Sequence, residues 1–183
     1  MYAILVPVIL IIVVIGLVYN SLISKKNAVD NAFGSIDAML KKRYDLIPNL
    51  VDTVKTYMTH EKETLTQITE LRTKAMSGDL SDNDKIELNS KLSKMMGSIM
   101  VAVENYPNLK ANENFLQLQG SLNETEEQIS ASRRFYNTAV TDYNNGIEMF
   151  PGNMLAGMMN LSRKTVFEAN EAERQNVKVG EMF

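Results

Sequence analysis

The sequence predicts an all-α protein: an N-terminal transmembrane helix followed by an elongated antiparallel bundle of three or four helices. Three observations predict it. Residues Met1 to Ser24 carry no charged side chain. Beyond them, apolar residues recur at three- and four-residue steps, the spacing of one helix face. Helix breakers are scarce, with 9 glycines and 4 prolines among 183 residues, so helices can run long.

The first element is the apolar run. From Ala3 to Val18 nearly every residue is apolar, interrupted only by Pro7 and Gly16. A helix from Tyr2 to Ile23 would be roughly 33 Å long at ~1.5 Å per residue, which matches a hydrocarbon core of ~30 Å. Tyr2 and Tyr19 fall near its two ends, where aromatic rings favour the membrane interface. Pro7 falls in the first turns, where a missing N–H costs least. A cleaved signal peptide fits poorly, because no Lys or Arg precedes the run and no small-x-small site follows it. Residues 1–24 are therefore read as a membrane anchor and 25–183 as the domain that it carries. Lys25, Lys26, Lys41, Lys42 and Arg43 follow the span, diluted by Asp30 and Asp37. The positive-inside rule puts that domain in the cytoplasm and a very short N-terminus outside.

The second element starts at once. Phe33, Ile36, Leu40, Tyr44, Ile47, Val51, Val54 and Met58 continue the helical period, and Leu65, Ile68, Leu71 and Ala75 extend it. The spacing predicts one long helix, or two in line, from Ser24 to Met76. Pro48 lies inside it, and a mid-helix proline removes a hydrogen bond at a cost of about 3 kcal/mol, so a kink or break is expected between Arg43 and Pro48. Ser77, Gly78 and Asp79 end this stretch. Ser81 caps the next helix, with Asp84 three residues on in a variant of the capping box. Its buried face is Ile86, Leu92, Met96, Ile99 and Val103. Pro107 ends it by Tyr106.

A third helix starts near Asn112 and carries the most regular seam: Phe115, Leu118, Leu122, Thr125, Ile129, Ser132, Tyr136, Val140, Tyr143 and Ile147. That coiled-coil-like pattern runs for about nine turns, typical of a bundle. Phe150-Pro151-Gly152 breaks it. A shorter fourth helix is expected from Asn153 through Ala172, interrupted near Asn160. No linker, low-complexity run or internal repeat divides the chain.

Chemistry is sparse. There are no cysteines and one histidine, which removes disulfides, thiolate metal sites and a Cys nucleophile. His60-Glu61 begins like a zinc-protease helix, but Thr64 stands where a second histidine is required. A di-iron bundle needs two Glu-x-x-His motifs, and a single histidine excludes that too. No glycine-rich phosphate loop and no strained serine turn is present. Nineteen Lys and Arg against 22 Asp and Glu leave a net charge of −3, which offers no general attraction to nucleic acid. The sequence supports no catalytic residue, no metal site and no cofactor.

The informative polar residues lie on or near apolar faces. Arg43, Glu104, Glu126 and Arg133 are expected to form a structural network, with Arg133 pairing to Glu104 or Glu126 and setting helix register. Asp45 or Asn49 is expected to satisfy backbone groups that Pro48 leaves unpaired. The methionine-rich stretch from Met149 to Met159 suits closure of the bundle end, with a neighbouring protomer or the bilayer surface as alternatives.

Arg43-Tyr44-Asp45-Leu46-Ile47-Pro48-Asn49-Leu50-Val51, followed by Val54-Lys55-Thr56-Tyr57 and His60-Glu61, resembles the signature of the LemA family. So do Glu104-Asn105-Tyr106-Pro107-Asn108-Leu109-Lys110-Ala111 and the series from Phe115 through Glu124, Thr125, Glu126, Arg133, Tyr136, Asn137, Tyr143 and Asn144. The resemblance covers almost the whole chain. It implies a single N-terminal span, a helical-bundle domain at the bacterial inner membrane, and no catalytic residue to carry over. It also implies gene neighbours that include membrane metalloproteases. The expected function is a non-catalytic, membrane-anchored scaffold, whose partners are the lipid bilayer and further copies of itself. The alternative is an adaptor for a membrane protease or envelope-stress system, with a membrane protein as partner.

Overall fold

The computed structural model describes residues 2–78 and 80–167, and side chains for 5–78, 80–81 and 84–167. The described residues form helices without any strand, in the order α1 (Tyr2–Val54), α2 (Lys62–Ala75), α3 (Asp82–Val103), α4 (Pro107–Lys110), α5 (Glu113–Glu148) and α6 (Gly152–Met158). The all-α fold is the one that the sequence predicts.

Of the kink or break expected near Pro48, a break does not occur. α1 runs helically through it and ends at Val54. The chain then turns over residues 55–61, where the Tyr57 and Met58 amides both donate to the Val54 carbonyl. α2 is not in line with α1. The Arg72 guanidinium donates from its Nε to the Tyr44 carbonyl at 2.8 Å, which requires α2 to fold back along the end of α1.

The chain divides into two compact units, the first built from Met1–Arg43 and Leu122–Val166. Within it, α1 buries Leu22, Val29, Phe33, Ile36 and Leu40. α5 answers with Ile129, Tyr136, Val140, Tyr143 and Ile147. The two helices run antiparallel. Lys25 lies against Gly146, Phe33 meets Tyr136 ring edge to face at 5.9 Å, and Arg43 pairs with Glu126, so numbers rise on one helix as they fall on the other. Each fully buried aliphatic chain contributes roughly 1.5–3 kcal/mol, against about 0–1 kcal/mol for an exposed ion pair, so the seam dominates. The seam of α5 departs from expectation at one place. Arg133 is buried and Ser132 only half-buried, because the step after Ile129 is four residues and not three.

The second unit contains Tyr44–Ser121 and Phe167. Here α2 packs on α3. Leu65 and Ile68 of α2, Leu88, Leu92, Met96 and Ile99 of α3, and Ile47, Leu50 and Val54 of α1 are buried in this unit. Ser81 begins α3 with the capping box foreseen, its hydroxyl accepting from the Asp84 amide while the Asp84 carboxylate accepts from the Ser81 amide. Pro107 occupies the first position of α4, where no N–H is needed. Asn112 caps α5 by accepting from the Phe115 amide at 3.1 Å.

The expected fourth helix is interrupted near Asn160 as anticipated, but does not resume over 161–167. α6 ends at Met158. Asn160 adopts a left-handed φ of 51°, and the Leu161 amide reaches back to the Ala156 carbonyl while the Asn160 amide reaches Gly157. This is a Schellman closure, which terminates a helix firmly. Residues 161–167 are not helical, and the remainder of the expected helix, 168–172, lies outside the described residues.

Candidate functional site

The first candidate is the apolar start of α1. Eleven large aliphatic side chains between Leu5 and Leu17 are exposed, from 43% at Val14 to 65% at Val6 and Leu17. Among the described residues, α1 is the one helix long and apolar enough to cross a membrane. Pro7 lies within it without interrupting it, and a Cβ added at Gly16 would meet nothing within 4 Å. Tyr19 is exposed near the far end of the run. The side chain of Tyr2 lies outside the described residues.

Below this run the helix packs closely. A Cβ at Gly146 would lie 2.9 Å from Cδ of Lys25, so the aliphatic stem of Lys25 lies across the glycine. A Cβ at Gly152 would fall 2.0 Å from the Gly146 carbonyl oxygen. Glycine is therefore required at 152 for the chain to double back after Phe150-Pro151, whose peptide bond is cis.

The predicted polar residues separate into several contacts. Arg43 is buried on the α1 seam, and its guanidinium contacts the Glu126 carboxylate at 2.8 Å. The Glu126 side chain is 40% exposed and keeps part of its hydration, which lowers the cost of burying its partner. The Glu126 partner that the structure shows is thus Arg43, where Arg133 had been expected. Arg133 is buried two turns further along α5. Glu104 is exposed and pairs with Lys110 across the start of α4. Asp45, Pro48 and Asn49 are all exposed. Neither Asp45 nor Asn49 supplies the partner expected at the proline. Pro48 cannot donate to the Tyr44 carbonyl four residues earlier, and Arg72 does so in its place.

Sequence reasoning missed a polar clamp in the first unit. The Asn144 amide group embraces the backbone of Lys164: its Nδ2 donates to the Lys164 carbonyl at 2.9 Å, and its Oδ1 accepts from the Lys164 amide at 3.0 Å. The Tyr143 hydroxyl donates to the Ser162 carbonyl at 3.1 Å, and Lys164 Nζ meets Asp30 at 2.7 Å. Residues 162–165 are thereby strapped onto α5 and α1 without secondary structure of their own. A buried carboxamide on an otherwise apolar seam was the available signal, since such a group needs a partner. Burial raises the Tyr143 hydroxyl pKa above its ordinary value; nearby Lys164 opposes this and Asp30 reinforces it.

In the second unit, the Tyr106 hydroxyl donates to both oxygens of Glu61, at 2.9 and 3.1 Å. That hydrogen bond, then desolvation and the carboxylate's charge, raise the Tyr106 pKa. His60 beside it is exposed. No group of three or more metal-ligating side chains occurs among the described residues.

The geometry thus defines a class: all-helical proteins in which one long helix passes from an exposed apolar segment into a packed seam. Residues 32–180 match the model of the LemA family. The chain is 32% identical to Protein LemA of Metamycoplasma hominis over 163 residues, covering 89% of this chain and 74% of that protein. Two proteins of Paramagnetospirillum magneticum, Magnetosome protein MamQ 1 and MamQ 2, are each 30% identical over 88 residues, covering 48% of this chain and 32% of theirs. The chain belongs to the LemA family.

Proposed function

We propose that residues 1–24 anchor this protein in the bacterial inner membrane and that residues 25–183 form a non-catalytic cytoplasmic scaffold, which self-assembles or organises partner proteins there. One observation carries the reading: the exposed aliphatic surface between Leu5 and Leu17. Burying a single such chain fully is worth about 1.5–3 kcal/mol, so leaving them all in water forgoes more than the ~5–15 kcal/mol net stability of a typical domain. A lipid phase supplies the missing burial, and a helix supplies the internal hydrogen bonding that a lipid phase demands. The basic flank from Lys25 to Arg43 favours the cytoplasmic side. Confinement to a bilayer raises the effective concentration of the bundle, so weak lateral contacts suffice for assembly.

The test is fractionation of cells that express the full chain, followed by crosslinking and mass measurement in mild detergent. Retention in membranes after alkaline carbonate, digestion by protease only after the cells are opened, and particles larger than the 20.6 kDa monomer are expected. Recovery as a soluble species would overturn the anchor, and digestion in intact cells would overturn the orientation. Monomers at every concentration with stoichiometric crosslinks to a membrane protease would replace the scaffold with an adaptor.

A further inference from the structure

We infer that the turn joining α5 to α6, with the exposed face of α6, is a second membrane-contacting surface, inserted in the acyl–headgroup boundary beside the point where α1 leaves the bilayer. The inference rests on the anchor reading above and extends it to a part of the chain 125 or more residues further along. Met149, Phe150 and Pro151 line one groove together with Leu17, Val18 and Leu22 of α1. Leu17 precedes Lys25, the first charged side chain after the span, by eight residues, or about 12 Å of helix. A turn that reaches Leu17 therefore reaches the part of α1 assigned to lipid.

What this turn presents is apolar. Met149, Phe150, Met154 and Met158 are 62–81% exposed, and Met154 and Met158 lie one helical turn apart on α6. Large apolar side chains clustered in this way are unusual on a surface that faces water. Methionine adapts to a fluid environment, and an apolar surface of this kind sits about 5–10 Å into the boundary. Two glycines keep the turn against α1: Gly146 under the stem of Lys25, and Gly152 on the Gly146 carbonyl. Arg163 lies 3.2 Å from Glu148 and Lys164 2.7 Å from Asp30, while the stem of Lys25, which also lines the groove, lies across Gly146. The large side chains that the turn exposes are uncharged, so insertion is driven by apolar burial and not by anionic lipid.

The chain has no tryptophan, so single-tryptophan variants report depth directly. Phe150→Trp and Met154→Trp are placed in the full-length protein and reconstituted in phosphatidylcholine vesicles carrying bromine at defined acyl positions. Ile11→Trp reports the anchor, and Phe135→Trp an exposed aromatic position on the water-facing side of α5. Blue-shifted emission at 150 and 154, quenched most by bromine near the headgroup and unchanged when anionic lipid is added, is expected. Phe135→Trp should be quenched only by aqueous acrylamide. Acrylamide quenching at 150 and 154, with lipid quenching at 11, would overturn the inference and leave the anchor standing. Protection at 150 and 154 from both quenchers would mean that protein covers the turn, and would also overturn it. Loss of lipid quenching at 11 would overturn the anchor and this inference together. Two reporter positions guard against one substitution perturbing the fold.

Discussion

Arg72 on α2 donates its Nε hydrogen to the carbonyl of Tyr44 on α1, at 2.8 Å, and so partners the one acceptor that Pro48 strips of its helical donor. The proline is tolerated because a side chain 28 residues away completes the hydrogen bonding, and the same contact fixes how α2 folds back.

Arg72→Leu should therefore destabilise the protein by about 1–3 kcal/mol, the usual cost of a part-buried acceptor left unpaired. In a Pro48→Ala background the cost should shrink, because alanine at that position restores the backbone donor. A double-mutant cycle on denaturation midpoints measures this coupling. Equal costs in both backgrounds would refute the substitution of one donor by the other.

Arg43 and Glu126 should respond unequally. Arg43 sits on the seam, whereas Glu126 is 40% exposed. Glu126→Gln removes the negative charge that faces a buried guanidinium and should cost about 1–3 kcal/mol, reduced from a fully buried pair by solvent screening. Arg43→Met leaves a carboxylate that water can reach, and should cost less. Thermal unfolding of the two variants decides the order.

Asn144→Ala should release the strap over residues 162–165. Two hydrogen bonds at about 1 kcal/mol each are lost, so local opening should rise on the order of tenfold or more. Faster tryptic cleavage at Arg163 and Lys164, and faster exchange of the Lys164 amide, read this out, with the helix content of α5 unchanged.

Gly152→Ala should be far more damaging than Gly146→Ala. At 152 the new Cβ meets a backbone oxygen at 2.0 Å, which only a shift of the chain relieves. At 146 it meets the flexible stem of Lys25 at 2.9 Å, and helix propensity returns about 1 kcal/mol. Comparable unfolding midpoints for the two variants would contradict the packing.

Tyr106 makes stability sensitive to alkali. Its raised pKa means that the folded state favours the neutral phenol. The stabilisation is fully present below the ordinary tyrosine value of about 10 and is lost as pH rises through the raised value. Glu61→Ala removes both the hydrogen-bond acceptor and its charge, so the Tyr106 titration should move down toward the ordinary value. Tyrosinate absorbance, referenced to Tyr106→Phe, follows it.

The helices and most of the seams were legible because a helix needs only local spacing. Three- and four-residue steps located α3 and α5, Ser81 and Asp84 announced a cap, and the uncharged run announced the exposed start of α1. Of the kink or break expected at Pro48, the break does not occur, and its remedy, Arg72, is distant in sequence and has no local signature. The interruption near Asn160 was legible, but not that helix fails to resume after it, because a left-handed residue and the Asn144 clamp hold the chain out of helix. The Arg43–Glu126 pair was half legible: both residues stood out as charges beside apolar faces, but their match depends on the antiparallel register of α1 and α5.

By itself, then, the sequence determined what depends on neighbours along the chain: helical class, caps, seams, an apolar segment suited to lipid, and the absence of a cysteine or a second histidine. Tertiary structure alone decided which polar group meets which, because a carbonyl orphaned by proline or a buried carboxamide specifies only that a partner is needed. The identity of that partner is set by packing register, and packing register is a property of two helices at once.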